Sequence, residues 1–343
     1  MKQLFFTIAA SLLAFFSLSA QDYNHPGEYL DAINKQQENI SRKFMAYASA
    51  SAHGKRAKKV ESLRTKLLDE VQEARMNIAG LPSFKGDKSL RDSSVSFIKL
   101  YYHVLNEDYS KIINMEEIAE QSYDDMEAYI MAKEMVDKKL EEGNDKMKLA
   151  TETFAAKNNI ILTKASSGLA EQMKQVGETN KYYNDLYLIF FKAYKQEGYM
   201  MDAIQKNNIT GIEQNKSALL KYAQEGKEKL KDMKAFQGDN ALLNACKTVM
   251  NFYEKEVNEK LNSISEFYIT KERFETIKKE FQKKSSPTKE EVDTYNKSVK
   301  DINAASDAFN KANQSLNKER NEVLNDWNKA VNVFFDEHTP HYN

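Results

Sequence analysis

The chain has 343 residues, with 50 Lys plus Arg against 51 Asp plus Glu and 29% charged residues overall. So balanced a chain exerts no global electrostatic pull toward nucleic acid or anionic lipid. Its one cysteine, Cys246, excludes an internal disulfide, and 11 Gly with 4 Pro leave few places to interrupt a helix.

Residues 1–20 read as a secretory signal peptide. Lys2 provides a positive start, 4–18 is an apolar run too short for a comfortable membrane span, and Leu18-Ser19-Ala20 offers a small-residue cleavage site before Gln21. No cysteine sits at the cleavage point, so lipoprotein-type acylation has no nucleophile. The expectation is an exported chain, periplasmic or at the cell surface or secreted, with no transmembrane segment after cleavage and a formal charge of −2 (49 basic, 51 acidic once Lys2 is lost).

Beyond the leader, apolar residues recur three or four apart and no stretch alternates with period two, which predicts helices throughout. A first helix runs from Pro26 to about 51, and His53-Gly54 makes a turn. A second runs to about 79, where Leu81-Pro82 blocks it. Asp87 is suited to cap a third helix ending near 114. Asn114 with Glu117 has the spacing of a capping box for a fourth, which reaches 158 with a kink or break at Gly143-Asn144. Asn158-Asn159 and Ser166-Ser167-Gly168 bracket a junction. Helices at about 169–206, 212–236, 239–268 and 271–284 follow, with a turn at 207–211. Ser285-Ser286-Pro287-Thr288 then restarts a final helix.

The two halves repeat one another. Phe84-Lys85-Gly86-Asp87 returns as Phe236-Gln237-Gly238-Asp239, a separation of 236 − 84 = 152. The match continues ungapped through Leu90 and Leu242, Tyr101 and Tyr253, Asn106-Glu107 and Asn258-Glu259, and Ile112 and Ile264. Phe44-Met45-Ala46-Tyr47 pairs with Phe191-Lys192-Ala193-Tyr194 at 147, and Phe154 with Phe309 at 155. A period of this size is a duplicated domain rather than a solenoid unit. The expected architecture is all-α: two tandem antiparallel four-helix-bundle-like domains, 21–163 and 164–343, arising from an internal duplication.

Chemistry-bearing patterns are sparse. The Phe-Gly-Asp corners place Asp87 and Asp239 at helix starts, where Gly permits the turn, Asp accepts free backbone N–H groups and Phe plugs the bundle end. Cys246, whose counterpart is Ser94, falls on an apolar stripe and reads as core. His25, His53, His103, His338 and His341 show neither Glu-x-x-His nor His-Glu-x-x-His spacing, against a di-iron or zincin centre. Asp336, His338 and His341 carry metal-ligand side chains at a chain end that is expected to fray. Asp124-Asp125 and Glu141-Glu142 read as solvated faces. Ser93-Ser94 lacks a His partner, and Trp327 lies on a core stripe. Tyr101-Tyr102 and Tyr182-Tyr183 with Tyr187 offer bundle-boundary or contact surface. These patterns assign no catalytic residue, no metal ligand and no cofactor.

Taken together, Tyr29-Leu30 with Ile33 and Gln36-Gln37, Phe84-Lys85-Gly86-Asp87 with Leu90-Arg91-Asp92, and Phe154-Ala155-Ala156-Lys157-Asn158-Asn159-Ile160 resemble a family of uncharacterised exported bacterial surface proteins. The resemblance implies export and a helical fold and carries no catalytic residues. The functional expectation is a non-enzymatic envelope protein that binds or scaffolds a protein or glycan partner. The alternative is a small-ligand or metal binder with a pocket between bundle helices.

Overall fold

The computed structural model describes residues 23–108, 111, 115, 118–162 and 168–342. The expected leader, the Asn114 and Glu117 capping pattern and Ser166-Ser167 lie outside the described residues. The fold is all-α. The helices are α1 (Pro26–Ala52), α2 (Ala57–Ala79), α3 (Ser89–His103), α4 (Tyr123–Lys157), α5 (Gly168–Gln205), α6 (Ile209–Lys231), α7 (Ala241–Lys255), α8 (Leu261–Gln282) and α9 (Lys289–His338). Among the described residues no helix is long and apolar enough to cross a membrane.

Local chemistry sets the ends. Pro26 opens α1, where a missing N–H costs nothing, and Gly54 at φ 62° turns the chain out of it. Ser122 caps α4 by accepting from Asp125 N–H at 3.1 Å. Thr288 and Glu291 form a reciprocal capping box at the start of α9. Two sequence expectations change. Gly143 does not break α4: a Cβ there would lie 2.7 Å from Leu100 and 3.2 Å from Phe97, so glycine lets α3 press against an unbroken helix. Likewise no break separates 268 from 271, and α8 runs through both.

Two corners close the bundle ends with one geometry. Phe84 and Asp87 exchange backbone hydrogen bonds of 3.0 and 2.9 Å, and Phe236 and Asp239 do so at 3.0 and 2.8 Å. The intervening pairs all have positive φ: Lys85 at 49° with Gly86 at 84°, and Gln237 at 49° with Gly238 at 93°. These are the angles of a two-residue reverse turn that favours Asn-Gly. Against each corner sit two further rings. Tyr29 and Phe154 lie 5.4 Å from Phe84, and Tyr182 and Phe334 lie 5.2 and 5.3 Å from Phe236. Each tyrosine also donates to a backbone carbonyl just before its corner, Tyr29 to Pro82 at 2.9 Å and Tyr182 to Lys234 at 3.0 Å.

This packing corrects two pairings. Tyr182 takes the place of Tyr29 at a separation of 153, so the first helices match there rather than at 147. Phe334, not Phe309, takes the place of Phe154, at a separation of 180. Phe309 instead stacks on Phe267 at 4.6 Å. The 25-residue discrepancy is about seven helical turns, so both phenylalanines lie on the same face of α9 and sequence matching does not separate them. The difference between separations of 180 and 152 places 28 additional residues in the α8–α9 hairpin. From 269 to 311 that hairpin buries only Ser298, and the stacking of Phe281 on Tyr295 at 4.5 Å joins its two helices.

α3 and α7 each run on into a π-helical turn, Val104–Asp108 and Glu256–Lys260, again 152 apart. The wider turn brings successive residues inward together: Val104 with Leu105, and Glu256 with Val257, are all buried. The core of the first half gathers Ile33, Leu67, Ile78, Ile98 and Phe154. That of the second gathers Leu186, Ile212, Leu219, Met250 and Trp327, and it also takes Ala119, Met126 and Ile130. A boundary at 163 therefore does not divide the cores. α4 has 35 residues, about 52 Å, and serves one core at each end.

Substituting Gly86→Ala or Gly238→Ala leaves the added Cβ in open space, so the cost is conformational alone. Each is expected to lose about 1–2 kcal/mol. Lys85→Asn should gain a few tenths of a kcal/mol. Urea unfolding of the three variants checks both signs.

Candidate functional site

Glu256, Glu197 and Arg320 are brought together inside the second half from the π turn after α7, from α5 and from α9. Glu197 and Glu256 are 3% and 1% exposed. Arg320 donates from Nε to Glu197 Oε1, and from Nη2 to Glu256 Oε1 at 2.6 Å. Its Nη1 donates to Asn317 Oδ1 at 2.7 Å. Tyr253 is fully buried one turn before Glu256, and burial followed by the nearby Glu197 raises its pKa well above the ordinary value. The second oxygen of Glu256 is buried without a formed hydrogen bond.

The electrostatics follow from burial. Desolvation, then the neighbouring Glu197, pushes Glu256 up to about 8, with Arg320 opposing both. Burial alone would lower Arg320, but the two carboxylates outweigh it and the net shift is upward. The corresponding place in the first half is apolar. Val104 stands where Glu256 does, 152 residues earlier, and packs with Val136, Leu100 and Leu140.

A groove of about 350 Å³ lies where α4, α5 and α6 meet. Lys192 spans it, 4.3 Å from the Tyr222 ring, 5.2 Å from Tyr123 and 3.2 Å from Glu225 Oε2. This cation lies between aromatic faces on an open surface, an arrangement suited to polar contact rather than to proton transfer.

Most of the remaining sequence candidates disperse. Cys246 is fully buried, and desolvation pushes its thiol up to about 12, which suppresses the reactive thiolate. Ser94 is buried and donates to Leu90 O at 2.8 Å. Trp327 stacks on Phe190 at 4.4 Å within the core. Tyr182, Tyr183 and Tyr187 pack against the same core, whereas Glu141 and Glu142 are exposed and Asp125 helps form the cap of α4. Ser89 N–H and hydroxyl, then Lys157, hold Asp87 down to about 2. Asp239 is lowered by Ala241 N–H and by His338, 2.9 Å away. His25 and His103 are exposed.

Sequence reasoning missed the Glu197–Glu256–Arg320 cluster. The available signal was Glu256 three residues after Tyr253 on an otherwise apolar stripe. Its partners lie 59 and 64 positions away in sequence, where no local pattern points to them. Compared with protein-family models, curated proteins and solved structures, the chain matches none.

Unfolded Glu256 releases its proton near the ordinary 4.5, and folded Glu256 near 8. Between those values the folded state holds more protons, so the Glu256 contribution to stability is full below about 4.5 and is lost as pH rises through about 8. Glu256→Gln should flatten this decline and raise the urea midpoint at pH 8 relative to wild type. Arg320→Met leaves the buried Glu197 and Glu256 without their cationic partner and is expected to cost about 3–5 kcal/mol at pH 7, measured in the same way.

Proposed function

We propose that this protein is an exported, non-enzymatic helical module of the bacterial cell envelope that binds or scaffolds a protein or glycan partner. The observation that carries the reading is the α8–α9 hairpin. It leaves the second bundle as a two-helix arm with almost no buried residues between 269 and 311, on the one half whose closing aromatics are 28 residues farther apart. An arm that contributes little to the core spends chain length on reach, which suits contact with a partner. The chain's most strongly perturbed carboxylate, Glu256, supports the non-enzymatic part: it is enclosed and tied to Arg320, out of reach of a substrate.

The pairing of Phe267 with Phe309 and of Phe281 with Tyr295 gives the register for removing the arm. Replacing 274–302 with a short Gly-rich turn should leave the melting temperature of the bundle within a few degrees. The same variant should lose capture of the envelope or glycan partner that the full chain retains. Equal capture by both forms refutes the role of the arm. Turnover of a general substrate panel that is abolished by a point substitution refutes the non-enzymatic reading.

A second reading, a small-ligand binder with its pocket between bundle helices, is favoured by the groove of about 350 Å³ where α4, α5 and α6 meet, in which Lys192 lies between the Tyr123 and Tyr222 rings. Native mass spectrometry of untagged protein tests it, and a clean apo mass counts against it.

A further inference from the structure

The C-terminal tail does not fray. α9 ends at His338, whose carbonyl accepts from Gln175 Nε2 at 2.9 Å and from Thr179 Oγ1 at 3.0 Å. Thr339 is buried, and Tyr342 N–H donates to Ser49 Oγ at 3.0 Å near the end of α1. This docking lays the His341 ring on the His53 ring, with centroids 3.8 Å apart. Asp336, five residues earlier on α9, brings Oδ1 to 3.8 Å from His53 Nε2 and 3.6 Å from His341 Nε2.

We propose that His53, Asp336 and His341 bind a divalent transition-metal ion of the Zn²⁺ class, which clasps the C-terminal tail to the end of α1. The anchor is His53. Its side chain is only 7% exposed, and its Nδ1 lies 2.7 Å from Ser49 O. A carbonyl only accepts, so Nδ1 carries a proton and Nε2 is the ring nitrogen left to act as a ligand. That Nε2 is buried without a hydrogen-bond partner and is aimed at Asp336 and His341. Metal-bound imidazoles are oriented in this way, with the far N–H given to a carbonyl.

The spacing also fits. Ligands at about 2.0–2.1 Å from a tetrahedral Zn²⁺ stand about 3.3–3.4 Å from one another. The Asp336 distances exceed this by a few tenths of an ångström, and all three ligand atoms lie within 4.8 Å of one another. Asp336 and His341 are each 67% exposed, free to close that gap and open to ion entry, while His53 stays fixed. Two imidazoles favour a borderline ion over Ca²⁺ or Mg²⁺, and three protein ligands leave a fourth position for water. The neighbouring group of Asp239, Glu337 and His338 differs in kind. There His338 Nε2 is already bound to Asp239 at 2.9 Å, and Asp239 also accepts from Ala241 N–H, so both serve the corner.

The test is calorimetric titration of untagged full chain with Zn²⁺ at pH 7.5, paired with thermal melts. One equivalent should bind. His341→Ala and Asp336→Asn, both on exposed side chains, should each weaken binding at least tenfold, whereas His103→Ala leaves it unchanged. Zn²⁺ should raise the melting temperature of wild type but not of His341→Ala. His53→Ala should abolish binding, with circular dichroism reporting whether it folds. The proposal is overturned if wild type binds no stoichiometric Zn²⁺, if His341→Ala and Asp336→Asn bind as wild type does, or if binding is lost with His338→Asn alone.

Discussion

Three aromatic rings close one end of each half, and the rest of the molecule is arranged around that closure. The corner between the second and third helices brings Phe84 or Phe236 back over the bundle axis. A tyrosine from the first helix of the half then fixes the corner twice, through its ring and through a hydroxyl bound to the preceding backbone. The third ring, Phe154 or Phe334, arrives from the last helix. Because the rings come from separate elements, their contact sets the relative height of those helices, and with it which residues lie in the core layers below. The corner itself holds residues at positive φ that are not glycine, Lys85 and Gln237, at a local conformational cost that ring burial offsets.

From this shared frame the two halves diverge in chemistry. At the π turn each admits two consecutive side chains to its interior. The first half fills the place with Val104 and stays apolar; the second admits Glu256 and must then supply Arg320 and Glu197 with it. A buried ion cluster of this kind is weak evidence for stability, since apolar residues of similar volume pack as well or better. It does place a carboxyl whose pKa is raised by burial at the π turn of the second half, where the first half has Val104. The second half also carries the longer last helix, and that length produces both the two-helix arm at one end and, at the other, the tail that reaches back to His53.

Much of the fold was legible beforehand because it rests on local rules. Helical periodicity, Pro26, Gly54, Pro82 and the Thr288 cap mark where helices begin and stop, and those signals act within a turn of the chain. The repeated Phe-Gly-Asp corners were visible for the same reason. Less legible were features set by neighbours distant in sequence. Gly143 looked like a break because glycine disfavours a helix, but the close approach of Leu100 and Phe97 reverses that reading. The equivalence of Phe154 with Phe334 was hidden because a shift of seven turns leaves a side chain on the same helix face.

The sequence by itself determined that this chain is helical, where most helices start, and that a corner motif occurs twice, because periodicity, capping and turn residues act over a few positions. Only the tertiary structure decided that α4 serves both cores, that Glu197, Glu256 and Arg320 share one buried volume, and that His53 meets Asp336 and His341 nearly 290 residues later. Side-chain convergence depends on how helices cross and how far each extends, and those quantities arise from packing between distant segments rather than from any local pattern.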